Sequence, residues 1–169
     1  MKLQNATEEA VPDNKLLFRD LSNAWARGVA VVTALDSAGR PQGLTMRAVT
    51  PVSTDPLRFA ICVGEASRSL KAILYSQAFC INYLGKEQVR LADQFASPTE
   101  DKFAGVEHEI FETGAVGIVG ALATVQCRIA HALSSGDHRL LVGDVVGSRI
   151  HPGEPLVIFG GRYCGITDL

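Results

Sequence analysis

The stretch Gly43-Leu44-Thr45-Met46-Arg47-Ala48-Val49-Thr50-Pro51-Val52-Ser53 carries small, hydroxyl and basic side chains where an ordinary core strand would carry bulk. Alternate residues of a strand point to opposite faces, so Leu44, Met46 and Ala48 go one way and Thr45, Arg47 and Val49 the other. One face can line a core while the other meets a ligand. A guanidinium beside hydroxyls and backbone N–H groups suits a phosphate, because charge-assisted hydrogen bonds are roughly twice as strong as neutral ones. A polar-faced surface strand is the competing reading, since threonine favours strands in general.

On the N-terminal side of this stretch, residues 1–14 read as a flexible arm and residues 15–169 as one domain. Pro12 ends the loose part, and Asp13 or Asn14 can cap a helix running to about Arg27 with Phe18, Leu21 and Trp25 on one stripe. Gly28 stops it. The β-branched run 29–35 predicts a strand, and Asp36-Ser37-Ala38-Gly39 a turn between antiparallel neighbours.

On the C-terminal side, residues 51–56 break the pattern between two prolines, and 57–63 alternate as a further strand. Gly64-Glu65-Ala66-Ser67-Arg68-Ser69 then opens a short helix over 70–75. Helix N-termini present unpaired N–H groups and the positive end of the dipole, so this is a second place suited to a phosphate; an ordinary N-cap serine is the alternative. A strand over 77–84 and an amphipathic helix over 87–95 follow. Residues 97–117 read as irregular, longer than the ~12–15 residues beyond which loops in compact domains tend to be functional. A hairpin of strands 120–133 and 138–150 turns at Ser134-Ser135-Gly136-Asp137, and a last strand covers 155–159. Strands joined mainly by hairpins predict a mainly β fold, an antiparallel barrel with peripheral helices, because closure removes exposed edges.

A chain of 169 residues can bury about 68–70% of its unfolded surface without staples. Sixteen basic residues against eighteen acidic ones leave a net charge of −2, which lacks the clustered basic surface of a nucleic-acid binder. Cys62, Cys80, Cys127 and Cys164 form no C-x-x-C pair, so free thiols in a reducing cytoplasm are expected. The polar N-terminus is unlike a signal peptide, and no run reaches the ~18 apolar residues of a membrane span. His108, His131, His138 and His151 show no metal spacing, so no metal is expected. P-loop, nucleophile-elbow and strand-borne G-x-G-x-x-G signatures are all absent. Cys127 reads as an inert core thiol. His138, following Gly136-Asp137, stands at the mouth of a hairpin where a barrel loop can reach a cavity; a histidine without a role is the alternative.

Several short runs occur in a telling order. Phe18-Arg19-Asp20 and Gly28-Val29-Ala30-Val31-Val32-Thr33 lead to Gly43-Leu44-Thr45 and Val52-Ser53-Thr54-Asp55-Pro56, then to Ser67-Arg68-Ser69 and Phe79-Cys80-Ile81-Asn82-Tyr83-Leu84. Leu91-Ala92-Asp93-Gln94-Phe95, Asp101-Lys102-Phe103, Gly136-Asp137-His138 and Gly143-Asp144-Val145 continue it as far as Arg162-Tyr163. Over roughly residues 15–165 the sequence resembles the short-chain flavin reductases of two-component monooxygenases, the flavin reductase-like family with an FMN-binding split barrel.

That resemblance implies a homodimeric, antiparallel, Greek-key-like split barrel with FMN or FAD at the subunit interface. It places the flavin phosphate on Thr45, Met46, Arg47 and Ala48 and on Ser67, Arg68 and Ser69. Cys62 and Val63 would border the ring system, Asn82, Lys102, Phe103 and Tyr163 would approach the flavin, and His138 would serve catalysis near the nicotinamide. The implied reaction is hydride transfer from NADH or NADPH, with reduced flavin diffusing to a separate monooxygenase. A flavin- or haem-binding module without turnover is the alternative, and a reductase acting on a flavin-linked substrate such as a corrinoid is a third. One departure stands out: the family's usual Thr-x-Asn-Ser is here Thr45-Met46-Arg47-Ala48, so Arg47 is expected to bind the flavin phosphate or an adenylate extension.

Overall fold

A computed structural model describes residues 13–167. Of the expected arm, residues 1–12 lie outside the described residues, and Asn14 already belongs to helix α1 (Asn14–Asn23). The Asp13 carboxylate caps it by accepting from the Lys15 N–H at 2.9 Å, which satisfies one orphan donor of the first turn. The helix closes on Ala24, short of the expected Arg27, because Arg27–Gly28 is drawn into strand β1 against strand β11 (Val157–Phe159). No residue of α1 is buried within the chain, so its apolar stripe stays open, with Trp25 just beyond it 72% exposed.

The barrel is a seven-stranded sheet. Its strands are β2 (Ala30–Leu35), β3 (Pro41–Met46), β4 (Val49–Thr54), β5 (Leu57–Gly64), β6 (Ala78–Tyr83), β9 (Ala123–Ser135) and β10 (His138–Ile150), in the order β3-β2-β6-β9-β10-β5-β4. Every pairing is antiparallel. The two edge strands, β3 and β4, are consecutive in sequence and joined by Arg47-Ala48 alone, so the sheet must coil until its edges meet. Just before β4, the Ala48 carbonyl accepts from the Cys62 N–H at 3.2 Å, which carries the β4–β5 ladder one residue toward the joint. The joint between the two edges therefore lies at Arg47-Ala48, among the small and basic residues of the stretch 43–53.

Strand β4 runs through Pro51, where the sequence suggested a break. It is an edge strand, Pro51 pairs with Phe59, and the register shifts between Pro51 and Ser53; a residue without an N–H is tolerated at such an edge bulge. Residues 97–117, expected to be irregular throughout, contain β7 (His108–Ile110) and part of its hairpin partner β8 (Val116–Ile118). Strand β12 (Arg162–Cys164) completes a small sheet with β1 and β11.

Two apolar clusters hold these layers. Ile61, Phe79, Ile81, Cys127 and Leu141 fill the barrel. Gly143 is required there, since a Cβ would stand 2.6 Å from Cys127 Cβ and 2.7 Å from the Phe79 ring. Burial pushes the thiols of Cys80 and Cys127 up to about 12, which fits inert packing groups. Val31, Leu84, Phe95, Val116 and Leu156 form the second cluster beneath α3 (Val89–Ala96).

Asn82 ties the layers together. Fully buried, its amide donates to Val31 O and Thr33 Oγ1, both at 3.0 Å, while its carbonyl accepts from the Ile118 N–H at 2.8 Å. Asn82→Ala takes the acceptor from the buried Ile118 N–H and breaks the link from β6 to β2, and urea denaturation should show a loss of about 2–3 kcal/mol.

Candidate functional site

The site begins where β5 passes through the loop 64–67 into α2 (Arg68–Ser76). Ser67 N–H donates to Gly64 O at 3.0 Å and Glu65 N–H to Asp137 O at 2.9 Å, which fastens the loop to the tip of the β9–β10 hairpin. Arg139 adds an ion pair to Glu65 at 2.9 Å. The start of α2 is thereby fixed, yet the Ser67 side chain makes no capping bond, so first-turn N–H groups remain available to an anion.

Beside this helix start lies a recess of about 290 Å³, lined by Gln42 and Gly43 of β3, the residues 66–69, and Ser97, Pro98 and Lys102. Ser69 is only 5% exposed, and its hydroxyl engages no other described residue. Lys102 is placed by donating from Nζ to Phe95 O at 2.7 Å, and Arg68 by donating from Nη2 to Thr99 O at 2.8 Å. Burial, and then the Arg68 charge, hold the Lys102 ammonium below its ordinary range. Two cations, an unpartnered hydroxyl and a helix N-terminus around one small concavity make an anion seat.

The resemblance-derived residues fall into distinct groups. Ser67, Arg68, Ser69 and Lys102 come together in the recess. Thr45 lies on the same face of β3 as Gly43, but its hydroxyl donates to Ala92 O at 2.6 Å, so it anchors α3 to the strand. Gly43 permits that approach: a Cβ there would stand 2.6 Å from the Phe95 ring. Met46 and Val63 are core residues, 5% and 1% exposed. Phe103 packs edge-on against Phe95 at 4.9 Å and His108 at 5.0 Å, and Asn82 is the buried link described above; neither lines the recess.

A second group occupies the outer barrel face. Cys62 is half-buried beside Ala48, and burial followed by the nearby Asp137 charge pushes its thiol up. His138 pairs with Gly64 across β10 and β5, and its Nδ1 lies 2.7 Å from Asp137 Oδ1. That bond fixes the ring and holds the Asp137 carboxyl below the usual carboxylate range. The imidazole Nε2 stands over Gly64, 3.9 Å from where a Cβ would be. The loop 64–67 thus connects this face to the recess.

Tyr163 and Arg47 lie toward the small sheet. The Tyr163 hydroxyl donates to Asp93 Oδ1 at 3.0 Å, and burial, then Asp93, pushes the phenol up. Arg47 is exposed, lies outside the recess, and acts on both Arg27 and Tyr163 through its charge. Sequence reasoning missed Gln42, Ser97 and Pro98, which are scattered along the chain and carry no motif.

Residues 22–167 match the family described as "Flavin reductase like domain". The chain belongs to this family. Among relatives of this flavin reductase-like chain, a 4-nitrophenol 4-monooxygenase/4-nitrocatechol 2-monooxygenase reductase component from Rhodococcus opacus is 36% identical, over 90% of this chain and 81% of that one. A flavin reductase (NADH) from Kitasatospora aureofaciens is 36% identical, over 86% and 78%. Among solved structures, an NADH:FAD oxidoreductase of Streptomyces globisporus C-1027 in complex with NAD and FAD fragments superposes with a TM-score of 0.86 at 29% identity, covering 95% of this chain and 98% of that one.

The electrostatics of the recess has a measurable sign. Lys102 binds an anion only while protonated, so affinity for sulfate, whose charge is constant over this range, should fall as pH rises toward and through a value below 10.5. Lys102→Met should remove that pH dependence in a calorimetric titration.

Proposed function

We propose that the chain catalyses hydride transfer from NADH or NADPH to FMN or FAD, with the flavin phosphate in the recess and the ring system on the Ala48, Cys62 and His138 face. The observation that carries this reading is the recess itself: Arg68, Ser69 and Lys102 line one concavity at the start of α2, a set of two cations, a hydroxyl and helix N–H groups that fits a phosphate dianion. Bound flavin supplies the redox chemistry by accepting the hydride. The chain's residues position and exclude. Lys102, Arg68 and Ser69 hold the phosphate, while the small Ala48 and Cys62 side chains leave room for a flat ring. His138, oriented by Asp137, holds the nicotinamide in place through Nε2. Such transfer needs two rings held face to face more than it needs acid–base help.

The relatives named as monooxygenase reductase components support a separate monooxygenase that receives reduced flavin by diffusion. The open apolar side of α1, where Phe18 is 67% and Leu21 66% exposed, supports a homodimer in which a second copy covers it. The family match across residues 22–167 supports residues 15–169 as a single domain. No helix among the described residues is long and apolar enough to cross a membrane, and all four cysteines are free, which supports a cytoplasmic setting.

Purified protein should consume NADH catalytically when free FMN or FAD is added; consumption limited to one equivalent of bound flavin would indicate a binding module instead. Lys102→Ala should weaken flavin binding roughly tenfold or more, as expected for loss of a partly buried charge-assisted bond. Arg47→Ala should weaken it only about threefold, because an exposed charge is screened by water and salt.

A further inference from the structure

We infer that the chain carries a second small-molecule site, at the end of the barrel away from His138, which takes an uncharged and mainly apolar molecule of one or two rings bearing a hydroxyl group. The site is a cavity of about 630 Å³ where the start of β9, the end of β10 and the turn Lys86–Gln88 come together. Small-molecule sites have this size, roughly 300–1,000 Å³. It shares no lining residue with the phosphate recess. Strand β10 runs 13 residues from His138 to Ile150, roughly 40 Å of strand at ~3.3 Å per residue, so a ligand here leaves the His138 face free.

Thr124 supplies the polar anchor. Its neighbour Val125 belongs to the barrel core, so Thr124 faces the outer side of the sheet, where its cross-strand partner Arg149 also lines the cavity. Thr124 is 5% exposed, yet its hydroxyl oxygen has no hydrogen-bond partner among the described residues. A buried hydroxyl left unmatched costs about 1–3 kcal/mol, so a ligand that brings it a partner is favoured by relief of that penalty. The His151 imidazole lines the same cavity and makes no hydrogen bond among the described residues, so it can meet the ligand hydroxyl as well. The remaining walls are largely apolar, with Ile118, Val119, Ala121, Leu122 and Pro152 to cover a ring.

The charges at the rim select against ions. Lys86 pairs with Glu154 and Arg149 with Glu109, and the Arg149 guanidinium is also held 5.5 Å from the centre of the Phe111 ring. Both cations are thus already matched, and Glu87, a third carboxylate in the lining, leaves an excess of negative charge. A phosphate or carboxylate would meet that excess, the reverse of the recess at α2. Glu87 is itself exposed, and a water-screened carboxylate holds a cation only weakly. The walls are fixed by backbone hydrogen bonds: Leu122 N–H donates to Tyr83 O and His151 N–H to Leu122 O, both at 2.8 Å, and Lys86 N–H to Glu154 O at 2.9 Å. Gln88 adds a bond from Nε2 to Gly120 O at 3.1 Å. A cavity braced in this way spares a ligand the entropy of ordering loops.

The test is calorimetric titration of 2-naphthol and 2-naphthoate at neutral pH, without and with saturating FMN, into the wild-type protein and the variants Thr124→Val and Val119→Trp. Wild type should bind 2-naphthol equally well in both conditions and 2-naphthoate at least about tenfold more weakly, equivalent to ~1.4 kcal/mol. Thr124→Val, which keeps the shape and removes the hydroxyl, should weaken 2-naphthol binding about fivefold to tenfold without lowering the urea midpoint. Val119 is 49% exposed, so Val119→Trp should fill the cavity and abolish binding while leaving NADH consumption with FMN unchanged. No saturable binding of 2-naphthol to the wild type would overturn the proposal, as would binding that survives Val119→Trp or is displaced by FMN. An unchanged affinity in Thr124→Val, or a lowered urea midpoint that gives the hydroxyl a partner within the protein, would overturn it too. None of these outcomes bears on the phosphate recess.

Discussion

Two residues carry the backbone from one edge of the seven-stranded sheet to the other, and much of the molecule follows from how short that link is. Arg47-Ala48 cannot span an open sheet, so β3 and β4 must be brought together by coiling the strands between them. The two edges form no ladder with each other, and the Cys62 N–H donating to the Ala48 carbonyl carries the β4–β5 ladder up to the joint. The same topology gives β4 the edge position at which Pro51 can sit without breaking a central ladder.

Around that seam, charge and shape are divided between two neighbouring regions. The recess concentrates positive potential, since α2 begins there and Lys102 is held against its own burial by the Phe95 carbonyl. The adjoining barrel face carries the small residues Ala48, Cys62 and Gly64 and the His138 imidazole. This division suits a cofactor with an anionic tail and a planar head. It also suits a reaction whose chemistry belongs to the cofactor, for the thiols are not activated: Cys80 and Cys127 are pushed up to about 12, and Cys62 upward as well.

The supporting structure is as specific as the site. Gly43 lets α3 approach β3 closely enough for Thr45 to reach Ala92, and this contact places the loop bearing Lys102 against α2. Asn82 joins β6 to β2 and β8 through a network buried beyond reach of water. Two residues that resemblance assigns to the flavin have protein partners here: the Thr45 hydroxyl donates to Ala92 O, and Asn82 joins strands. By contrast α1, well capped by Asp13, has no buried residue within its own chain.

Local signals made most of the architecture legible. Alternation marked the strands, Ser134-Ser135-Gly136-Asp137 marked the long hairpin, and Ser67-Arg68-Ser69 marked the helix start that became the anion seat. What remained hidden depended on distant partners. Nothing near Asn82 or Phe103 in the sequence says how deeply they are buried, because burial is set by what packs from other parts of the chain. Pro51 reads locally as a breaker and becomes acceptable only once β4 is known to be an edge. The residue types at each anion-friendly turn were determined by sequence alone, since backbone N–H groups, hydroxyls and cations carry their chemistry wherever they lie. Which of them share one concavity was decided by tertiary structure, because barrel closure brings Gln42, Ser69, Ser97 and Lys102 together across separations that no local pattern encodes.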